Sequence, residues 1–315
     1  MLALLFSIQP AAAQSARYET AVQPLPNEDI AQPCKYELTI PEGVRSVRAV
    51  WVIFDRGLEL AALYRDAEVL AFARRHQLAL MMPRHCRAKG YEDMNVEPSQ
   101  GIGRALLTAL AQFAPTTGHA ELATSKLILL CFSGGGSLVA RMAGYAPERL
   151  LAVIPYAPGH FEPLGMNTIT LPKKALAIPQ LIIANGGDKI CGTARPYQYF
   201  RRHYEQGARW AFVIQNDIPH CCLGNAQPLI LTWLEAVLTS SRQAKTGWQA
   251  FFQPAETEIR DEWKQQTWNM RKATIQPSQQ KRPAELLPAG WLPTKQVAAA
   301  WLKFATEPHR VISQP

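Results

Sequence analysis

Three residue types that together perform nucleophilic chemistry stand at three comparable places in this chain. Ser133 closes the apolar run KLILLCF (126–132) and is followed by three glycines, so CFSGGG turns sharply from strand-like into helix-like sequence. Asp188 follows PQLIIANG (179–186) in the stretch ANGGDKICG, and His220 follows ARWAFVIQ (208–215) in NDIPHCCLG. A serine hydroxyl is a weak nucleophile near neutral pH. An imidazole within hydrogen-bond reach can take its proton, and a carboxylate can fix the imidazole tautomer and stabilise its charged form. The interval from 188 to 220 holds room for one helix and one strand, and the order serine, acid, histidine suits a sheet whose later strands each deliver one group.

Plainer explanations stand beside each residue. An S-G-G-G turn before a helix can cradle an anion, although the Gly-Lys-Ser/Thr of a Walker loop is absent and the turn is not in the first strand–helix unit. Aspartate after two glycines is a common turn residue. Asp217 is a rival acid, but three residues before His220 it is too close to reach around the ring. Of the seven histidines, His76, His119, His203 and His309 fall in helix-like or terminal segments and read as surface residues. His85 and His160 follow strands; only His220 follows the last one.

The turn itself departs from the usual G-x-S-x-G. Gly135 is in place, whereas Cys131 occupies the first glycine position, where its small side chain is tolerable. Gly134, at the start of the following helix, would offer its backbone N–H to a developing oxyanion, favoured by the helix dipole. The second donor is expected from the loop FDRGLEL (54–60), at Gly57 and Leu58. Phe132, Tyr156 and His160 are the expected walls of a substrate pocket.

These residues need a scaffold that brings strand ends together. The runs at 47–55, 78–83, 126–132, 150–157, 179–186 and 208–215 are short and nearly all apolar, as strands covered on both faces must be. Helix-like blocks at 65–77, 101–113, 136–146, 197–206 and 229–238 alternate with them. That rhythm predicts a doubly wound α/β sheet, largely parallel. KYELTIPEG (35–43) reads as an antiparallel edge strand. The organisation expected is a leader over 1–13, a linker over 14–34, a catalytic domain over 35–242 and a C-terminal extension over 243–315. The extension shows no strand rhythm and one amphipathic helix within 290–305, docked on the main domain.

The chain has 315 residues, 48% hydrophobic and 18% charged, enough for a sizeable core. No window approaches the ~18 consecutive apolar residues of a membrane span. The short apolar run ahead of Ala11-Ala12-Ala13 predicts export, secreted or periplasmic. The six cysteines fit that compartment. Cys191 with Cys221, tying the acid and base loops, and Cys34 with Cys86 are the expected disulfides, against the alternative that all six are reduced. No C-x-x-C pair or zinc pattern occurs, so neither metal nor other cofactor is expected. A formal net charge of +8 favours anionic surroundings, but the Lys and Arg are scattered without stacking aromatics, which argues against nucleic acid. Oligomeric state is left open.

On CFSGGG with Ser133, NGGDK with Asp188 and PHCCLG with His220, the sequence resembles the α/β-hydrolase superfamily over roughly residues 35–240. Within it, the chain looks most like secreted esterases of the polyhydroxybutyrate-depolymerase and feruloyl-esterase type. The resemblance implies an eight-stranded, mostly parallel sheet and cofactor-free hydrolysis of small or polymeric carboxylic esters through an acyl-enzyme. A peptidase or acyltransferase on the same fold, and a non-catalytic envelope or carbohydrate-binding protein, are the rival expectations.

Overall fold

The computed structural model describes residues 15–54, 58–89, 96–161, 168–239, 246–258 and 267–309. The expected leader, apart from its sequence, lies outside them. Eleven strands form one sheet: β1 (Ala16–Val22), β2 (Cys34–Ile40), β3 (Ala49–Ile53), β4 (Leu78–Arg84), β5 (Lys126–Phe132), β6 (Leu150–Tyr156), β7 (Leu181–Asn185), β8 (Ala211–Gln215), β9 (Trp248–Glu258), β10 (Thr267–Pro277) and β11 (Leu287–Leu292). Their order is β1-β2-β4-β3-β5-β6-β7-β8-β11-β9-β10.

The six central strands, β4 to β8 in that order, are mutually parallel. Residues of β3, β7 and β8 are buried without exception, which requires cover on both faces. The helices supplying it are α1 (Leu58–Arg65), α2 (Ala67–Arg75), α3 (Ile102–Thr117), α4 (Gly134–Tyr145), α5 (Ala194–Glu205), α6 (Ala226–Thr239) and α7 (Lys295–Thr306). Asp66 caps α2 by accepting from the amides of Glu68 and Val69. The same carboxylate accepts from Gln227 at 2.9 Å, and His76 meets Glu235 at 2.7 Å, so α2 and α6 are joined at both ends.

The sheet is α/β with a parallel centre, as expected, but two expectations need correction. The sheet is not an eight-stranded, mostly parallel one: it has five parallel pairings and five antiparallel ones. The stretch expected as a linker contains β1, paired with β2 along its full length, so β2 is not the edge. In β1 the side chains alternate between exposed and partly buried from Arg17 to Val22, the pattern of a strand with one wet face.

The C-terminal extension carries a helix, α7, where the amphipathic helix is expected, but its remainder, expected without strand rhythm, continues the sheet. Strands β9 and β10 form a long hairpin, β11 pairs with β9, and β11 joins the hairpin to β8 at Gly290 and Ala211. Gly290 holds φ +116°, and a Cβ there would collide with the Trp210 carbonyl, so only glycine permits this approach. Trp301 of α7 then donates to the Phe212 carbonyl of β8 at 2.9 Å, fixing the helix across the junction. Among the described residues no helix is long and apolar enough to cross a membrane.

Candidate active site

Parallel strands deliver their carboxyl ends to one edge of the sheet, and β5, β6, β7 and β8 are neighbours there. Ser133 lies immediately past β5, Asp188 past β7 and His220 past β8. The chain topology therefore brings the three together. His220 Nε2 stands 2.8 Å from Ser133 Oγ, and His220 Nδ1 stands 2.7 Å from Asp188 Oδ2. The second oxygen of Asp188 accepts from the backbone amides of Ile190 and Cys191, each at 2.8 Å. The carboxylate is thus 1% exposed yet bonded at both oxygens, which is what a buried charge requires.

Ser133 has φ +55° and ψ −131°, a conformation non-glycine residues seldom adopt. Three hydrogen bonds hold it there. Its N–H donates to Tyr156 O, and its carbonyl accepts from the amides of Gly136 and Gly159 at 2.8 and 2.9 Å. Gly136 is needed because a Cβ would come within 2.6 Å of Pro158 Cβ. Cys131 is fully buried, and its sulfur lies 3.8 Å from Phe132 O, so the first position of the turn accepts the small thiol.

Gly134 is the first residue of α4, where amides lack intrahelical acceptors. Leu58 is the first residue of α1, while Gly57 lies outside the described residues. Phe132 tilts against the His220 ring with centroids 4.8 Å apart. His160 is exposed and has φ +56°.

Tyr156 is not a pocket wall. It is 1% exposed, and its hydroxyl reaches the carbonyls of Cys221 and Cys222, directly behind His220. The Asn185 amide donates to Pro219 O at 2.8 Å and Cys221 O at 3.1 Å. These two side chains fix the backbone that carries the imidazole. The expected Cys191–Cys221 disulfide is not formed: Cys221 bonds its neighbour Cys222, and the Cys191 sulfur faces His220 Nε2 at 3.8 Å. Cys34–Cys86 is formed. Chain spacing carries no information about which way a sulfur points. His76, His203 and His309 are buried, not surface residues; the latter two bond the carbonyls of Tyr199 and Phe304.

The extension also reaches the site, which its sequence does not reveal. Asn269 of β10 accepts from Asp217 N at 2.9 Å and donates to Asp217 Oδ1 at 2.8 Å, so Asp217 is engaged away from the imidazole. Asn216 bonds Met270 N and Ala305 O, and Trp268 N donates to Thr193 Oγ1. The loops carrying Asp188 and His220 are thereby tied to β10 and α7. The one readable signal was a polar side chain just past an apolar run, in IIAN and VIQN.

No protein-family model matches the chain, nor does any curated protein. Among solved structures it is similar to FphF, a fluorophosphonate-binding serine hydrolase of Staphylococcus aureus with substrate bound (12% identity, 72% of this chain and 100% of that one, TM-score 0.48). It is similar to an arylesterase (14%, 71% and 84%, 0.47) and to a ferulic acid esterase (10%, 66% and 92%, 0.49). At these scores and identities the likenesses assign neither activity nor substrate.

Proposed function

We propose that the chain is a serine hydrolase acting on carboxylic esters through an acyl-enzyme. The observation that carries this reading is the continuous hydrogen-bonded series Ser133 Oγ, His220 Nε2, His220 Nδ1, Asp188 Oδ2 on a serine held at positive φ. In this reading His220 takes the Ser133 proton as the hydroxyl oxygen attacks the ester carbonyl. Asp188 holds the proton on Nδ1 and stabilises the imidazolium. The oxyanion faces the Gly134 amide and a second donor in the 56–58 loop, at Gly57 or Leu58. Imidazolium returns its proton to the leaving alcohol, and water, deprotonated by the same imidazole, releases the acid.

Phe132 against the imidazole and Ile190, 64% exposed two residues past Asp188, supply apolar surface for an acyl or alcohol group. We extend the reading to bulky or polymeric esters of the kind cleaved by polyhydroxybutyrate depolymerases and feruloyl esterases, and to an exported protein. The Cys34–Cys86 disulfide suits an oxidising compartment. A panel of p-nitrophenyl esters of increasing acyl length, run beside the matching anilides, tests the activity. Ester turnover lost by 10⁴- to 10⁶-fold, on the order seen for triad deletions, in Ser133→Ala and His220→Ala is the expected result. Preference for anilides would favour the peptidase alternative, and no turnover of either class would overturn the reading.

A further inference from the structure

The acid loop places a thiol at the reactive nitrogen of His220. Cys191 Sγ lies 3.8 Å from His220 Nε2, and Cys191 is partly exposed. Among the described residues, Asp188, Cys191 and His220 have ligand atoms that all fall within 4.8 Å of one another. The chain spacing gave no zinc pattern, yet the fold assembles one because the 188–191 and 220 loops meet at adjacent strand ends.

We infer that this cluster is an inhibitory site for a thiophilic divalent cation, zinc above all, bound by Cys191 Sγ and His220 Nε2. A tetrahedral zinc at about 2.0–2.1 Å from nitrogen and about 2.3 Å from sulfur holds those atoms about 3.6 Å apart. The observed 3.8 Å needs only a small rotation of the cysteine side chain. Asp188 sits on the far nitrogen of the ring at 2.7 Å, so it acts as the outer carboxylate that orients a metal-bound imidazole. Ser133 Oγ, 2.8 Å from Nε2, shares that lone pair, so the cation displaces the serine hydroxyl, which rotates away, and water completes the coordination. On binding, the thiol proton leaves to solvent and the sulfur–zinc and nitrogen–zinc bonds form, without any change of oxidation state.

The site stands on this geometry alone. Its inhibitory consequence rests on the reading of Ser133 and His220 as nucleophile and base: a cation on Nε2 occupies the lone pair that would accept the serine proton.

Cobalt(II) added to the full chain, with its disulfides intact and no thiol reagent present, reports the ligands directly. The expected result is a sulfur-to-cobalt charge-transfer band that zinc bleaches and that disappears in Cys191→Ala and Cys191→Ser. Cys131 is fully buried and Cys221 is joined to Cys222, so the band identifies Cys191. Calorimetry should show zinc affinity lowered at least about tenfold in both variants, since even loss of an outer partner costs that much. Zinc should also inhibit ester turnover of the wild type, reversed by chelator, with the variants turning over substrate but resisting zinc by the same factor. No sulfur band, or a band surviving in both cysteine variants of native circular dichroism, overturns the inference. A band on a protein without turnover would sink the hydrolase reading and leave the metal site standing.

Discussion

Asn269 offers a sharp test of how the extension supports the site. Its side chain is fully buried and makes two bonds to one residue, accepting from Asp217 N and donating to Asp217 Oδ1. Asn269→Ala removes both. The bond to the carboxylate would be worth about 1.5–3 kcal/mol if fully buried, but Asp217 is exposed and water replaces part of it. The backbone amide loses a partner, at about 1–3 kcal/mol. A net loss of about 2 kcal/mol follows. At about 2.1 cal/mol/K of unfolding entropy per residue over 315 residues this lowers Tm by about 3 °C. Asp217 stands three residues before His220, so a share of about 1.4 kcal/mol falling on that loop lowers kcat/KM about tenfold. The assay is ester turnover with thermal melting on Asn269→Ala and on the exchange pair Asn269→Asp with Asp217→Asn. The exchange keeps an acceptor for the 217 amide and restores an amide-to-carboxylate bond, so it should recover most of both losses. Wild-type turnover in Asn269→Ala, or an exchange pair no better than the sum of its single changes within about 0.5 kcal/mol, would refute the clamp.

Tyr156→Phe removes the hydroxyl that reaches the Cys221 and Cys222 carbonyls and should cost about 1 kcal/mol of stability with a several-fold fall in kcat at unchanged KM, read by melting and steady-state kinetics. Gly136→Ala drives a Cβ to 2.6 Å from Pro158 Cβ, and overpacking of this kind costs about 1–3 kcal/mol; the melting temperature should fall, and an unchanged one would show that the turn can give way. Burial holds the His203 and His309 imidazoles below the ordinary histidine range. In the unfolded chain both take protons more readily, so the stability they allow is complete above pH about 6.5 and is lost as pH falls through that value towards their folded pKa. Melting temperature should decline over that window, and less steeply in His203→Gln and His309→Gln.

The central strands and the three strand-end residues were legible in sequence for one reason. A parallel strand buried on both faces must be an unbroken apolar run, and a polar group at its carboxyl end interrupts that run. KLILLCF before Ser133, PQLIIANG before Asp188 and ARWAFVIQ before His220 all show it. Strands with one wet face give a weaker signal. Thus β1 reads as a linker, and β9 to β11, crossed by Pro254, Pro277 and Pro288, read as irregular chain. Helix α1 is only eight residues long, and its first residues fall in FDRGLEL (54–60), read as loop throughout. The Cys221–Cys222 pairing was hidden because separation along the chain ranks partners without knowing side-chain direction.

The most direct measurement of an activated Ser133 is the intact mass of the disulfide-bonded protein after a fluorophosphonate, with peptide mapping, on the wild type and Ser133→Ala. A single adduct on the peptide carrying Ser133, absent from the variant, is the predicted result. A folded wild type that takes no adduct, or an equal adduct on the variant, would contradict the account.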